Sequence, residues 1–171
     1  MIILLLLLLG NLVLGSSSDK FLPKSGRAKH KYLDGSVYEG FWKNGKRNGK
    51  GVLAGSDGSM YDGDWKEDKW HGRGSFTDAS GSTYTGSFED GERHGFGVEE
   101  YKNGRHKGGR YSGTWKRGKR DGEGVYRHGD GSSYDGKWRD GKMHGQGVMT
   151  WADKTRKGRT QENDKKLTPV L

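Results

Sequence analysis

Apolar side chains in this sequence fall on alternate positions, and the alternation restarts at nearly constant intervals. In Tyr38-Glu39-Gly40-Phe41-Trp42 the residues at i, i+2 and i+4 are Tyr, Gly and Trp, a spacing that puts all three on one face of a strand. The triplet recurs at Tyr61/Gly63/Trp65, Tyr84/Gly86/Phe88, Tyr111/Gly113/Trp115 and Tyr134/Gly136/Trp138, at intervals of 23, 23, 27 and 23 residues. Each triplet is followed by a pair of glycines two residues apart: Gly49/Gly51, Gly72/Gly74, Gly95/Gly97, Gly122/Gly124 and Gly145/Gly147. Such a pair also shares one strand face and leaves bare backbone over which a neighbouring ring can lie. Aromatic strands are therefore expected to alternate with glycine strands.

The punctuation agrees. Asn44-Gly45, Asp90-Gly91, Arg117-Gly118 and Asp140-Gly141 place glycine where a two-residue hairpin turn needs φ > 0, and Asp68 holds that place in the second repeat. Asp34-Gly35, Asp57-Gly58, Ser80-Gly81, Asn103-Gly104 and Asp130-Gly131 mark the links between hairpins. No segment of helical length carries a 3.6-residue apolar period. The prediction is an all-β chain, a single elongated antiparallel meander sheet of stacked β-hairpins. One period back, Ser25-Gly26-Arg27-Ala28 overlays the glycine pair, so residues 24–37 are expected to supply the second strand of a half repeat. One period forward, Lys157, Arg159 and Gln161 stand in the Tyr, Gly and Trp columns, so the array is expected to end near Asp153. Eleven strands at about 4.8 Å each would make a sheet roughly 50 Å long.

The run Tyr38-Glu39-Gly40-Phe41-Trp42-Lys43-Asn44-Gly45-Lys46-Arg47-Asn48-Gly49-Lys50-Gly51-Val52 resembles the MORN (membrane occupation and recognition nexus) repeat. The resemblance covers residues 38–153 as five repeats, 38–60, 61–83, 84–110, 111–133 and 134–153. It implies a twisted sheet of stacked hairpins with one face forming an aromatic-lined trough. On that frame residues 1–18 form a signal-like hydrophobic segment, 19–37 a basic linker with the half repeat, and 154–171 a basic disordered tail.

Composition narrows the classes. Only 29% of residues are hydrophobic, while glycine supplies 32 residues and proline 2, with 11% aromatics; that mixture argues against collagen and against simple disorder. The absence of cysteine excludes disulfides and cysteine-based zinc sites. The formal charge is +9. It divides evenly among residues 1–30, 31–154 and 155–171, at +3 each, so the long central stretch is nearly balanced and the flanks are basic. The apolar run Met1–Leu14 is too short to span a bilayer. It has the length of a secretory h-region, and Val13 with Gly15 satisfies a small-residue cleavage rule, although no Lys or Arg precedes it. A signal or anchor there would place the chain in the secretory pathway or on a membrane; otherwise a cytoplasmic or cytoskeletal location is expected.

Candidate chemistry is thin. His71, His94 and His144 occupy one repeat column, filled by Asn48 and Asp121 in the other two repeats, which reads as a polar strand position and not a metal or catalytic set. Gly40–Lys46, Gly113–Lys119 and Gly136–Lys142 imitate the start of a phosphate loop, but no Ser or Thr follows and each straddles a hairpin instead of opening a helix. No catalytic, cofactor-binding or metal-binding residues are assigned, and no cofactor is expected. The third repeat is irregular: its link is four residues longer, and from Tyr101 to Arg120 there are eight basic residues and no acidic one, namely Lys102, Arg105, Lys107, Arg110, Lys116, Arg117, Lys119 and Arg120. Such a segment suits an anionic surface.

The expected role is therefore a non-catalytic protein-binding or scaffolding module. A partner peptide or helix would lie in a trough formed by Tyr38, Trp42, Tyr61, Trp65, Tyr84, Phe88, Tyr111, Trp115, Tyr134 and Trp138, and the basic patch would meet anionic phospholipid or acidic protein. The resemblance also implies an alternative, a regulatory segment related to an enzyme such as a phosphatidylinositol-phosphate kinase, whose catalytic domain this chain would lack. Nucleic acid is disfavoured as a partner, because the aromatic columns are already needed for packing.

Overall fold

The computed structural model describes residues 22–153, 157–160 and 167–169; the signal-like segment 1–18 lies outside them. One sheet of thirteen antiparallel strands runs in chain order, the meander expected from the turn spacing. A lone strand β1 (Ser25–Lys31) precedes five hairpins: β2 (Val37–Lys43) with β3 (Lys46–Ala54), β4 (Met60–Lys66) with β5 (Lys69–Thr77), β6 (Thr83–Glu89) with β7 (Glu92–Glu100), β8 (Arg110–Lys116) with β9 (Lys119–Arg127), and β10 (Ser133–Arg139) with β11 (Lys142–Thr150). Two short strands follow, β12 (Lys157–Thr160) and β13 (Leu167–Pro169).

Each hairpin closes through two residues with positive φ, as in Asn44 at 53° with Gly45 at 76° and Glu67 at 51° with Asp68 at 67°. That is the type I′ geometry whose twist matches the flanking strands. The turns also stack on one another: the second turn residue donates its N–H to the preceding hairpin, Gly91 to the Trp70 carbonyl and Gly118 to the Arg93 carbonyl, both at 2.9 Å.

The glycine columns have separate causes, visible in the second repeat. Gly63 and Gly74 face each other across the hairpin, and a Cβ on Gly63 would stand 2.6 Å from the Gly74 Cα. A Cβ on Gly74 would stand 2.6 Å from the Tyr61 hydroxyl, because that ring lies over it. Gly72, at φ +58°, sits where the pairing register shifts between Gly63 and Asp64, a bulge that bends the strand.

The core consists of the ten repeat aromatics plus Tyr126, all at most 5% exposed. A single-layer sheet has no second layer, so that burial comes from side chains of the same face, which curls enough that one cleft is lined from both ends of its strands.

At the amino-terminal end, β1 pairs Gly26 with Trp42, Ala28 with Gly40 and His30 with Tyr38, the register of the half repeat. At the other end the chain departs from the expected disordered tail wherever it is described. Strand β12 pairs with β11, and β13 with β12. The pairing also runs one residue out of the predicted frame: Gly158, not Lys157, faces Met149, as Tyr134 faces Tyr126 two strands earlier. Gly158 is buried. A lysine there would occupy the column whose tyrosines are wholly covered, whereas a one-residue slip exchanges the two faces of a strand.

Candidate functional site

Three layers of side chains build the inner face. In the lowest, each column tyrosine bonds within its own strand: Tyr38 donates to the Phe41 carbonyl at 3.0 Å, Tyr61 to Asp64 at 2.9 Å, Tyr84 to Ser87 at 2.9 Å, Tyr111 to Thr114 at 3.0 Å and Tyr134 to Lys137 at 3.0 Å. Burial pushes the hydroxyls of Tyr38, Tyr84 and Tyr111 up to about 12, since phenolate has no solvation there.

The second layer is the tryptophan column, which ties each repeat to its predecessor. Trp65 donates its indole N–H to Gly51 at 2.9 Å, Trp115 to Gly97 at 3.3 Å, Trp138 to Gly124 at 2.9 Å and Trp42 to Ala28 at 3.3 Å. Phe88 has no N–H and omits the bond. Tyr38, Tyr61, Tyr84 and Tyr111 each also pack edge-to-face on the ring of their own repeat and on that of the next, as Tyr38 does with Trp42 at 5.1 Å and Trp65 at 5.2 Å, and Tyr134 packs on Trp138 of its own repeat at 5.4 Å. The result is a continuous zigzag of rings in the geometry aromatic pairs prefer.

The third layer covers the rings. Nine residues after the tyrosine comes a guanidinium in three repeats: Arg47 lies 4.3 Å from the Trp65 ring, Arg93 4.5 Å from Trp115 and Arg120 4.7 Å from Tyr111. The second repeat has Trp70 instead, stacked on Tyr61 at 4.5 Å with planes 7° apart, and the fifth has Met143. Sequence reasoning missed this layer. The signal was a column of Arg, Trp, Arg, Arg and Met, in which guanidinium and ring alternate over the same aromatic floor.

A carboxylate stands among the apolar side chains of the inner face. Glu99 stands in a column otherwise held by His30, Leu53, Phe76, Tyr126 and Met149, and its side chain is 13% exposed. It pairs with Arg93 and, at 3.4 Å, with Arg120. It also accepts the Tyr101 hydroxyl, whose ionisation burial pushes far up. Arg120 comes from the turn end of its hairpin and Glu99 from the link end, so the cluster ties the two sides of the trough together.

Against this tie lies a cleft of about 360 Å³, mostly in repeats two and three, lined by Trp70, Phe76 and Phe88 with Asp78, Glu92, Arg93 and Glu99 among its edges and Gly118 of the fourth repeat at its margin. Its lining comes from both ends of the strands, Asp78 and Ser82 from the link and Gly91 and Glu92 from the turn. Trp70 and Phe76 are half-buried and meet at 5.0 Å and 38°.

The structure redistributes the residues predicted for binding. The ten trough aromatics are 0–5% exposed; they are the buried foundation of the face and leave contact to the layer above. The eight basic residues do not form one patch. Arg120 lies against the rings, Arg110 pairs with Glu100 at 3.2 Å, and Lys119 pairs with Asp140 at 3.0 Å. Lys102, Arg105 and Lys107 occupy the long third link, whereas Lys116 and Arg117 stand at the far end of β8, about 20 Å away at strand rise. The link itself is ordered around a 3₁₀ turn at Gly104–His106. Tyr101 N–H donates to the Gly109 carbonyl, Gly108 N–H to the Tyr101 carbonyl, and His106 Nδ1 lies 2.9 Å from the Tyr126 hydroxyl. His71, His94 and His144 belong to the second, third and fifth repeats, and among the described residues no three His, Cys, Asp or Glu side chains form a metal-holding group.

The MORN repeat family model matches residues 38–60, 61–83, 84–104, 111–133 and 134–156. The third match stops at Gly104, so residues 105–110 of the long link fall outside it. No curated protein matches the chain in sequence. Among solved structures, the TCP domain of SAS-4 (dCPAP) from Drosophila melanogaster, in complex with a proline-rich motif of Ana2 (dSTIL), aligns over 85% of this chain and 84% of that one, with 12% identity and a TM-score of 0.42. A likeness that distant has no bearing on function.

Proposed function

The chain belongs to the MORN-repeat family, and on that premise we propose that it is a non-catalytic adaptor that holds a protein segment on the inner face of its sheet. The cleft at Trp70 and Phe76 carries this reading. In the first, third and fourth repeats the rings are capped by the chain's own guanidinium groups; here two half-buried aromatic side chains border an open cleft. Exposed rings beside a few fixed polar groups are the usual makings of a recognition site. The tie at Glu99 and Arg120 closes the trough next to it, which confines an occupant to repeats one to three. Affinity capture with the full chain and with a Trp70→Ala/Phe76→Ala variant tests the reading. The expected result is a partner set that the variant loses while keeping its circular dichroism; an unchanged partner set would refute it.

A second reading concerns the third link. The side chains of Lys102, Arg105 and Lys107 are exposed and none has an ion-pair partner among the described residues. Three such cations on a projecting loop suit an anionic membrane surface, at about 1 kcal/mol each.

A further inference from the structure

On the reading that the inner face holds a protein segment, we propose that the cleft of the second repeat receives a basic side chain, arginine or lysine, from that segment. The protein supplies its own template for the contact. In the first, third and fourth repeats a guanidinium rests on the aromatic floor at 4.3, 4.5 and 4.7 Å from a ring. In the second, Trp70 has taken the guanidinium's place and raised the floor by one ring. One face of its indole lies on Tyr61, and the side chain lines the cleft with Phe76. Among the described residues no cation lies over either ring. The rings that three other repeats satisfy from within are here left to be satisfied from outside.

Charge points the same way. Arg93 and Glu99 at the edge of the cleft are matched to each other, so neither selects a ligand. Asp78 and Glu92 are not matched to any cation among the described residues. The Asp78 carboxylate accepts from the Ser80 hydroxyl at 2.6 Å, the Ser80 N–H at 2.8 Å and the Ser82 N–H at 2.9 Å, and these bonds hold it ionised below the ordinary carboxylate range. The cleft thus presents two uncompensated carboxylates in a chain of formal charge +9. A cation entering over Trp70 meets ring faces and negative charge together, whereas a carboxylate or phosphate there would be repelled. At about 360 Å³ the space is at the small end for ligand pockets, which fits one inserted side chain and its stem better than a whole helix.

The test uses the full chain and three short peptides, identical except for one central residue, Arg, Gln or Glu, flanked by leucines. Binding is read by calorimetry and by the indole N–H signal of Trp70. The Arg peptide is expected to bind about tenfold more tightly than the Gln peptide and to shift Trp70, with the Glu peptide weakest. Glu92→Gln, at an exposed position, and Trp70→Arg, which installs the guanidinium of the neighbouring repeats, should each remove the preference for Arg. Equal binding of the Arg and Gln peptides at Trp70 overturns the basic-side-chain assignment and leaves the inner face as a binding site. A Trp70 signal unmoved by all three peptides overturns both.

Discussion

The Arg120 guanidinium reaches the Glu99 carboxylate at 3.4 Å although the two leave opposite ends of their strands. Both side chains are 13% exposed, and Arg93, 35% exposed, approaches the same carboxylate from the other side. Removing the acid alone strands two cations near one another. Glu99→Leu, the residue the first repeat has in this column, should therefore destabilise the chain by about 2–3 kcal/mol, below the full cost of a broken buried pair because Arg93 keeps some water. Exchanging both members, Glu99→Leu with Arg120→Met as in the first and fifth repeats, should recover most of that loss. Urea unfolding of the two variants checks this, and a double variant less stable than the single would refute the pairing account.

Gly74 and Ala28 occupy equivalent places in the glycine column, opposite Gly86 and Gly40 of the repeats that follow them. Gly74 lies under the ring of Tyr61, whereas Ala28 belongs to a half repeat with no tyrosine strand of its own to lie over it. A methyl group is thus tolerated at one and not at the other. Gly74→Ala should cost about 1–3 kcal/mol through overpacking, and Ala28→Gly no more than about 1 kcal/mol through backbone entropy. Equal effects in thermal melts would show that the ring does not set the column.

Trp70 and Phe88 replace an Arg and a Trp that occur together in the neighbouring repeats, and they lie 5.6 Å apart. Phe88→Trp would supply an indole N–H for the Gly74 carbonyl but crowd Trp70, costing about 1–3 kcal/mol. Trp70→Arg loses the stack on Tyr61, about 0.5–1.5 kcal/mol beyond area. Together they recreate the Arg47–Trp65 arrangement, so the double variant should be more stable than the sum of singles by about 1 kcal/mol or more. Additivity in a double-mutant cycle would count against the swap.

Much of this architecture could be read directly because its causes are local. Period-two alternation puts Tyr38, Gly40 and Trp42 on one face, and the need for φ > 0 marks Asn44-Gly45 and Asp68 as turns. The family and the single meander sheet followed from those columns. What escaped depends on reach across the curled face. Glu99 looks like any solvated strand carboxylate until Arg93 and Arg120 close on it from two hairpins. The basic run from Lys102 to Arg120 looks continuous until a strand separates its loop from its turn. The tail frame failed at Gly158 because an exact period was assumed where the link is one residue longer.

Acid and alkaline limits of stability should come from different residues. In the links, serine hydroxyls and backbone N–H groups hold Asp34, Asp57, Asp78 and Asp130 below their ordinary value of 3.8. Their folded values are depressed, so their contribution is present above pH 3.8 and is lost as pH falls through the folded values. For Tyr38, Tyr84 and Tyr111, raised by burial from 10 to about 12, stability is full below pH 10 and falls as the pH climbs beyond it. A plateau between these limits is expected in urea midpoints. Replacing Ser36, Ser59, Ser80 and Ser132 with alanine should flatten the acid limb and leave the alkaline one; an acid limb of unchanged steepness would contradict the assignment.

Charge reversal on the third link separates folding from surface attraction. Arg105 and Lys107 are exposed and unpaired among the described residues, while the loop's shape rests on backbone bonds through Tyr101, Gly108 and Gly109 and on His106 beneath Tyr126. Arg105→Glu with Lys107→Glu should therefore leave the melting temperature within about 2 °C, as surface changes of under 0.5 kcal/mol do in a domain of this size. Binding to vesicles containing phosphatidylserine should weaken by more than tenfold at low salt, since removing two attractions of about 1 kcal/mol each already exceeds that factor. Arg110 serves as the internal control, because its guanidinium is already held by Glu100 at 3.2 Å, and Arg110→Gln should change vesicle binding less than either loop residue does. If all three positions prove equivalent, attraction follows net charge alone and the loop has no special part in it.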